Sequence, residues 1–419
     1  MTDQSFGDLV GRASGNGDLG AAAEWVRLSY DKPATYRALR RDSLDGARPV
    51  VYYLATPPAT YTSIVGGLAS AGLAGRGRDT RVVVEKPLGR DAASAREINA
   101  RLAEVFDEEQ IFRIDHYLAK DPVQNVLAFR FSNALFEPVW NRTMIDSIQI
   151  TATEQIDIGT RAGYYDSIGA VRDMVQNHVL QLLALIGMEP PTTFDPADIR
   201  MAKTAVLRAV EPLDPSSAVR GQYEGYQDAE GVPSGSTRET YAAARISIRN
   251  WRWDGVPIFV RTGKALRHQV TEAVIRFRDA PQLQVGDHCW SCIPTLLFIR
   301  FQPHEGILLR IGAKRPGGQF EMVPAGMKLE YRRLTRRPLP DAYENALSEV
   351  LTGGHSVFPG PLEIERSWEI VDPLIKGWER AGEPEMYARG SWGPSSANAL
   401  VAANGGGRWI TSTDEPGTR

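Results

Sequence analysis

Between residues 49 and 115, short apolar runs alternate with stretches whose apolar residues recur at helical spacing. The apolar runs predict buried strands, within 49–58, 80–87 and 110–114. The stretches between them predict helices, in 61–71 and 91–106. Strands that alternate with helices are typical of a parallel sheet with right-handed crossovers. Residues 1–115 are therefore predicted to contain part of a Rossmann-like nucleotide-binding domain.

Beyond residue 115, successive strands replace this alternation. Residues 123–136 predict a helix. Strands are predicted from alternating or wholly apolar runs in 147–153, 244–250, 256–262, 273–277, 296–301 and 306–311. This succession predicts a second, α+β domain over 116–409, with one large, mainly antiparallel sheet and flanking helices. The polar stretch 213–237 is predicted to be a surface loop, and 410–419 a disordered tail.

Composition and charge narrow the class of protein. The 419 residues suffice for two domains with cores, and contents of 42% hydrophobic and 24% charged residues are ordinary for a globular protein. A net charge of −3 argues against bulk nucleic-acid binding. The amino terminus does not resemble a signal peptide, and the longest apolar stretch, 179–188, is too short to span a bilayer. A cytoplasmic protein without a membrane partner is expected.

The cysteines do not indicate a metal centre. Cys289 and Cys292 form a CxxC beside His288. Structural zinc takes four ligands, and the sequence offers no second pair. We therefore expect no metal, and reduced thiols.

A cluster of ionisable residues follows the predicted strand 110–114, namely Asp115, His116, Tyr117 and Lys120. In α/β sheets, ligands bind beyond the carboxyl ends of strands. An imidazole, a phenol and an ammonium offer several donors to an anion. The alternative is a solvated polar loop.

A second candidate, His178, lies on the apolar face of a predicted helix. That face runs through Val171, Met174 or Val175, His178, Leu182 and Leu185, and the helix is predicted to end at Gly187 and the prolines that follow. A histidine there is either a core residue with satisfied hydrogen bonds or a functional group in a cleft.

Several long motifs occur in a fixed order along the chain. They are EKPLG at 85–89, RIDHYLAK at 113–120, TRAGYYD at 160–166, RDMVQNH at 172–178, RGQY at 220–223, RWDGVPIFVRTGK at 252–264 and YARGSWGP at 387–394. Together they resemble the glucose-6-phosphate dehydrogenase family. The resemblance implies oxidation of glucose 6-phosphate to 6-phosphogluconolactone, with hydride transfer to NADP in the pentose phosphate pathway. It also implies a homodimer or homotetramer.

The resemblance assigns a role to each candidate residue. His178 would be the base, and Asp115 would orient it. The implied substrate contacts are His116, Tyr117, Lys120, Glu154, Asp173, Lys264 and Gln269. Lys86, predicted to precede a cis bond to Pro87, and Pro57 are the implied cofactor contacts.

At Gln269, relatives usually carry Arg or Lys for the phosphate. Arg267 or His268 are possible substitutes in this chain.

The amino terminus departs from the family pattern. GNGDLG at 15–20 matches GxGxxG, but no apolar strand precedes it, so we interpret the match as coincidental. The chain is expected to lack the family's first strand, phosphate loop and second strand. Besides the dehydrogenase, two alternatives stay open: a non-catalytic homologue that binds sugar phosphate, and a paralogue for another phosphorylated sugar.

Overall fold

The computed structural model describes residues 2–39, 49–281, 284–285, 288–289, 293–317, 321–335 and 338–414. The chain divides into two compact units, Met1–Glu85 with Glu97–Phe112, and Lys86–Arg96 with Arg113–Arg419. The predicted single boundary after residue 115 stays a prediction. The compact units divide near it at 112, and they also assign the segment 86–96 to the second unit.

The helices and strands of the described residues are as follows. The α-helices are α1 Asp3–Ser14, α2 Gly17–Ala22, α3 Tyr61–Ser70, α4 Ala92–Val105, α5 Asp121–Phe131, α6 Ala162–Ala170, α7 Leu180–Gly187, α8 Pro196–Ala209, α9 Ala342–Thr352, α10 Pro361–Glu379 and α11 Ser396–Ala403. A π-helix, Val171–Val179, joins α6 to α7. The strands are β1 Val50–Leu54, β2 Thr80–Val84, β3 Ile111–Arg113, β4 Ile145–Thr153, β5 Ala218–Tyr223, β6 Tyr241–Ile246, β7 Ile258–Gly263, β8 Val270–Phe277, β9 Gln284–Val285, β10 His288–Cys289, β11 Leu296–Gln302, β12 Gly306–Lys314, β13 Met322–Glu330 and β14 Glu385–Tyr387.

The first unit is built on a small sheet with the strand order β1-β2-β3. β1 and β2 are parallel, in register from Val50 opposite Thr80 to Leu54 opposite Val84. The Gln110 side-chain amide donates to the carbonyl of Thr80 at 2.8 Å, so this buried polar group is paired. The predicted Rossmann-like arrangement of strands and helices is confirmed.

The second unit contains, within the described residues, a nine-stranded sheet of order β13-β12-β11-β8-β4-β7-β6-β5-β14. β4 and β7 are parallel, as are β5 and β14, and the other neighbours are antiparallel. The predicted mainly antiparallel sheet is confirmed. The loop predicted over 213–237 is wrong in part, because β5 lies within it and buries 221–223 in the sheet. Its sequence, AVRGQY, has neither the alternation nor the apolar run that identifies a strand.

The helix that carries His178 is buried on every side as it continues into α7. All eight residues of α7 are buried. The last carbonyls of a helix have no partner within the helix, so burial requires donors from elsewhere. Side chains supply them: Arg130 to Leu185 and Met188 at 2.9 Å each, Trp140 to Ile186 at 2.8 Å and Trp253 to Gly187 at 2.7 Å. This end of the helix is thereby anchored.

The start of the predicted disordered tail is ordered. Thr411 and Ser412 are buried, and the Ser412 N–H donates to the buried Glu272 carboxylate at 2.9 Å. The prediction is therefore wrong for 411–412, and 415–419 lie outside the described residues.

Two further sequence predictions concern membranes and metals. In the part of the chain that the structure describes, no helix has the length and apolar character needed to cross a bilayer. The side chains of His288, Cys289 and Cys292 lie outside the described residues.

We predict that Arg130→Met lowers the free energy of unfolding by about 3–5 kcal/mol, since two buried carbonyls and the Glu137 carboxylate lose a charged donor. Chemical denaturation measures this. The control is Arg249→Met, which removes an exposed guanidinium paired with Glu211 and Asp254, and should cost under about 1 kcal/mol. Equal losses in the two variants would contradict the anchoring role of Arg130.

Candidate active site

A polar cavity of about 380 Å³ lies in the second unit. The residues that line it include most of those that the sequence predicted: Lys86, His116, Tyr117, Lys120, Glu154, Asp173, His178, Lys264 and Gln269. They come from five separate stretches of the chain. The predicted site residues of this unit are therefore brought together, and Asp115 lies directly behind His178.

A buried imidazole–carboxylate pair lies at the cavity. His178 Nδ1 is 2.6 Å from Asp115 Oδ1, and the two side chains are 0% and 4% exposed. A carboxylate accepts only, so the contact places the proton on Nδ1 and leaves a lone pair on Nε2. Among the described residues, Nε2 has no hydrogen-bond partner. The pair therefore offers Nε2 of His178 as a proton acceptor, and the hydrogen bond from Nδ1 to Asp115 fixes the tautomer of the ring.

The charge of Asp115 is stabilised within this pair. Burial by itself raises the pKa of its carboxyl, but the interactions with His178, with His116 and with the Tyr117 N–H together outweigh burial, and the net pKa is lowered. The Tyr117 N–H adds a hydrogen bond of 3.0 Å to the same oxygen. Asp115 is therefore ionised at neutral pH, ready to stabilise a charged imidazole.

The helix carrying His178 differs from the predicted one. Over Val171–Val179 it is a π-helix, with Gly169 at φ 76° just before it. The predicted apolar face is buried, but so are Gln176 and Asn177. A wider turn of this kind is frequent at functional sites. The spacing of apolar residues identified a buried helix but not its pitch.

Two lysines flank Asp173, which lies five residues before His178 in the same π-helix. Lys86 Nζ is 2.8 Å from Asp173 Oδ1, and Lys264 Nζ is 3.3 Å from Oδ2. Lys264 also contacts Glu154 Oε2 at 2.5 Å. Burial by itself raises the pKa of Asp173, but the charges of the lysines lower it well below its ordinary value. This part of the cavity combines fixed acceptors with cationic donors.

The Lys86–Pro87 peptide is cis, as predicted.

The residues from the RIDHYLAK motif form another wall of the cavity. Lys120 Nζ lies 4.2 Å from the centre of the Tyr117 ring and contacts the Gln302 side-chain oxygen. Burial lowers the pKa of His116 to about 3, so its imidazole is neutral. Tyr117 stacks on the His178 ring at 4.2 Å between centroids. Lys120 is thus the cation that this motif contributes to the described lining of the cavity.

Gln269 lines the cavity with an exposed side chain. Arg267 and His268 do not appear among the described residues of the lining, and the Arg267 backbone N–H is directed to the Ser391 carbonyl at 2.8 Å. The structure thus places the side-chain amide of Gln269 at the cavity, and not the side chain of Arg267 or His268.

Several lining residues were not predicted. They are Ile156, Ile158, Arg161, Tyr164, Tyr165, Met174 and Gln302. Arg161, Tyr164 and Tyr165 belong to the TRAGYYD motif, whose presence signalled the segment without assigning those side chains to the site. Gln302 is the last residue of β11, and nothing in the local sequence distinguishes it.

The remaining predicted residue, Pro57, belongs to the first unit. It lies three residues after β1, is exposed, and begins a short 3₁₀ turn at Pro58–Thr60. Its predicted contact with a cofactor stays a prediction.

The GNGDLG stretch, also in the first unit, runs from the end of α1 into the first four residues of α2. Gly15 ends α1, and Asn16 begins α2 by accepting from the N–H groups of Asp18 at 3.0 Å and Leu19 at 3.4 Å. A phosphate-binding turn needs free N–H groups at the start of a helix that follows a strand. Residues 15–20 do not fit a pyrophosphate in this arrangement, as expected from their sequence context.

The arrangement in the second unit can transfer a proton and hold a polyhydroxylated anion. A buried base with a fixed tautomer can take a proton from a hydroxyl. Carboxylates can accept hydrogen bonds from further hydroxyls, and ammonium groups can bind an anionic substituent.

Comparison with known proteins gives matches over nearly the whole chain. Residues 15–125 match the sequence model described as "Glucose-6-phosphate dehydrogenase, NAD binding domain", and 127–410 match "Glucose-6-phosphate dehydrogenase, C-terminal domain". "Glucose-6-phosphate 1-dehydrogenase 2" of Mycobacterium bovis is 44% identical over 370 residues, which cover 84% of this chain and 72% of that protein.

Solved structures agree with these sequence matches. A crystal structure of glucose-6-phosphate 1-dehydrogenase from Mycobacterium avium has a TM-score of 0.86 at 36% identity, covering 98% of this chain and 89% of that one. A glucose-6-phosphate dehydrogenase in complex with its substrate glucose-6-phosphate has a TM-score of 0.83 at 34% identity, covering 94% and 84%.

We predict that His116 makes the protein less stable in acid. Its folded pKa of about 3 lies below its ordinary value of 6.5, so the unfolded chain binds the proton first as the pH falls. The free energy of unfolding should therefore decrease from pH 6.5 downwards, with a slope of up to about 1.4 kcal/mol per pH unit from this one group. His116→Phe should show a shallower decrease when denaturation is measured at pH 6.5, 5.5 and 4.5. His304→Asn, at an exposed histidine with φ 60° that Asn tolerates, should keep the parent's slope. An unchanged slope in His116→Phe would contradict the prediction.

Proposed function

We propose a function on the premise that the chain belongs to the glucose-6-phosphate dehydrogenase family, since both domains of that family match it in order. The chain acts as a glucose-6-phosphate 1-dehydrogenase, which oxidises glucose 6-phosphate to 6-phosphogluconolactone with NADP. The observation that carries the proposal is the buried His178–Asp115 pair at a cavity that also presents lysines and carboxylates.

His178 acts as the base. Oxidation of the anomeric hydroxyl to a lactone releases a proton, and Nε2 is the lone pair available to take it. The Nδ1–H donates to Asp115, whose negative charge stabilises the imidazolium as it forms. The buried position of both groups strengthens this attraction, because the local dielectric is low.

The sugar hydroxyls bind at the carboxylate end of the cavity. Asp173 and Glu154 accept hydrogen bonds from hydroxyls, and Lys264 contacts both carboxylates and so fixes their positions. Lys86 holds the other oxygen of Asp173. Their mutual contacts preorganise the site, so little ordering remains when the sugar binds.

The phosphate binds at the wall formed by the RIDHYLAK motif. Lys120 provides the charge, and His116 and Tyr117 provide neutral hydrogen-bonding groups. A neutral His116 can donate one hydrogen bond without adding a second charge. Gln269 adds an amide where a cation would bind the phosphate more strongly.

NADP supplies the acceptor for the hydride when bound. Lys86 and Pro57 are the proposed contacts from this chain. The turn at 15–20 does not fit the pyrophosphate, because Asn16 already takes two of its N–H groups. The proposal therefore assigns no role to that turn.

The proposal includes a cytoplasmic location and a homodimer or homotetramer, as the family resemblance implies. Sedimentation equilibrium of the purified chain measures the oligomeric state directly, and a monomer across the micromolar range would contradict this part of the proposal.

We predict that His178→Asn lowers kcat for NADP reduction with glucose 6-phosphate by about 10²- to 10⁴-fold, the usual contribution of a positioned base. Asp115→Asn should also lower kcat, because the imidazolium loses its counter-charge. Asp121→Asn is the control, since its contact with Asn345 at 3.1 Å can be kept by an amide oxygen and it does not line the cavity. Equal rates in His178→Asn and the parent would reject the base assignment.

Binding of glucose 6-phosphate by the parent without NADP reduction would instead indicate a non-catalytic sugar-phosphate-binding protein.

We predict that Gln269→Arg lowers KM for glucose 6-phosphate. A charge-assisted hydrogen bond contributes about 1.5–3 kcal/mol when buried, and solvent screening at this exposed position reduces the gain to a decrease of several-fold. Steady-state kinetics measure the change. Arg267→Gln should leave KM unchanged, because Arg267 is not among the described lining residues. An increase in KM in Arg267→Gln would show that Arg267 replaces the missing cation.

A further inference from the structure

A buried carboxylate that has no role in the proposed reaction lies at the start of the π-helix. Glu239 is 5% exposed. Its Oε1 accepts from the Val171 N–H at 3.3 Å, and its backbone carbonyl accepts from the Ala170 N–H at 3.1 Å. The first N–H groups of a helix have no partner within it, so these bonds satisfy donors that burial would leave unpaired. Glu239 therefore acts as a cap for the helix that carries Asp173 and His178.

The segment before Glu239 is docked on α6 by several contacts. Asp166 Oδ1 accepts from Ser236 Oγ at 2.5 Å and from the Tyr226 hydroxyl at 2.9 Å. Arg238 Nε donates to the Asp166 carbonyl at 2.6 Å. The position of Glu239 is thus fixed from outside the helix that it caps.

Gly169 shows how closely this segment approaches the helix. A Cβ at Gly169 would lie 2.3 Å from Glu239 Oε1 and 2.6 Å from Arg238 Cδ. The φ of 76° at Gly169 also favours glycine. The turn between α6 and the π-helix is therefore shaped to admit the Glu239 side chain.

Thr240, the residue after Glu239, contacts the backbone of Lys264, which belongs to another part of the cavity. The Thr240 carbonyl accepts from the Lys264 N–H at 3.0 Å. The Tyr387 hydroxyl contacts Thr240 Oγ1 at 3.0 Å and donates to the Lys264 carbonyl at 2.8 Å. Two consecutive residues thus connect the start of the π-helix to the backbone of Lys264, whose side chain meets Asp173 in the cavity.

We propose that Glu239 is a positioning residue, which through its bond to the Val171 amide sets where Asp173 lies. This rests on the proposed function. Asp173 lies two residues after Val171, so loosening the helix start displaces it directly. His178 lies farther along and is held separately by Asp115. Loss of the bond therefore weakens sugar binding more than it slows the chemical step.

Two near-isosteric variants separate the hydrogen bond from the charge. Glu239→Gln keeps an oxygen at the position of Oε1 and loses the charge. Glu239→Asp keeps the charge and withdraws the carboxylate by about 1.5 Å, beyond hydrogen-bond reach of Val171. Glu239→Ala removes both.

Steady-state kinetics with glucose 6-phosphate and NADP give the first readout. We expect KM for glucose 6-phosphate to rise about five-fold in the Asp and Ala variants, with kcat within about two-fold of the parent, and to stay at the parent's value in Glu239→Gln. A purely structural role would lower the amount of active protein without moving KM. The control is Glu224→Ala, which removes an exposed carboxylate close to β5. An unchanged KM in Glu239→Asp, an equal rise in Glu239→Gln, or an equal rise in Glu224→Ala would overturn the proposal. If Glu239→Ala does not fold, the comparison of Asp with Gln decides.

Amide hydrogen exchange on the ligand-free chain tests the same inference without turnover. The backbone amides of 170–175 should exchange faster in Glu239→Asp than in the parent or in Glu239→Gln. Equal exchange in all three would overturn the inference. A parent that neither binds nor oxidises glucose 6-phosphate would refute the proposed function, and the exchange result would still decide whether Glu239 holds the helix.

Discussion

The second unit is organised around a largely buried helix, Val171–Gly187 across the π-helix and α7, in which all residues except Arg172 and Asp173 are buried. Burial of this kind is stabilising only if the polar groups at both ends and along the length are paired. Arg130, Trp140 and Trp253 pair the carbonyls at one end, and Glu239 pairs amides at the other. The helix is therefore fixed in position by donors and acceptors from distant parts of the chain.

Between these ends, the same requirement for paired polar groups applies to His178. A fully buried imidazole needs partners, and one of its nitrogens is paired with Asp115. The other remains without a partner among the described residues. An unpaired buried nitrogen costs stability, and such costs are tolerated where function uses the group.

The cavity beside His178 is held open by charge. The Asp173 carboxylate attracts both Lys86 and Lys264, and these two contacts keep polar groups at this wall of the cavity. At the wall formed by the RIDHYLAK motif, burial makes His116 neutral, and Lys120 is the cation from this motif among the described lining residues. The two walls therefore suit different parts of one ligand: hydroxyls near the carboxylates, and an anion near Lys120.

The sequence by itself determined the classes of the two folds and nine of the residues that line the cavity. Alternation of strands and helices, apolar runs and long motifs are local properties, so β1 to β4, β7, β8 and the helix of His178 were predicted close to where they lie. The strand predicted at 244–250 overlaps β6 only at 244–246. Three features needed the tertiary structure. β5 forms because its neighbours in the sheet supply hydrogen bonds, although its own residues carry no strand pattern.

The second and third features concern the site. The start of the π-helix is hydrogen-bonded to Glu239, which packs against Gly169 although the two residues lie 70 positions apart in the chain. The contact of His178 with Asp115 joins residues 63 apart, and no spacing rule predicts it. Local patterns specify which residues can bond, but only the packed chain decides which of them meet, because a hydrogen bond depends on distance in space.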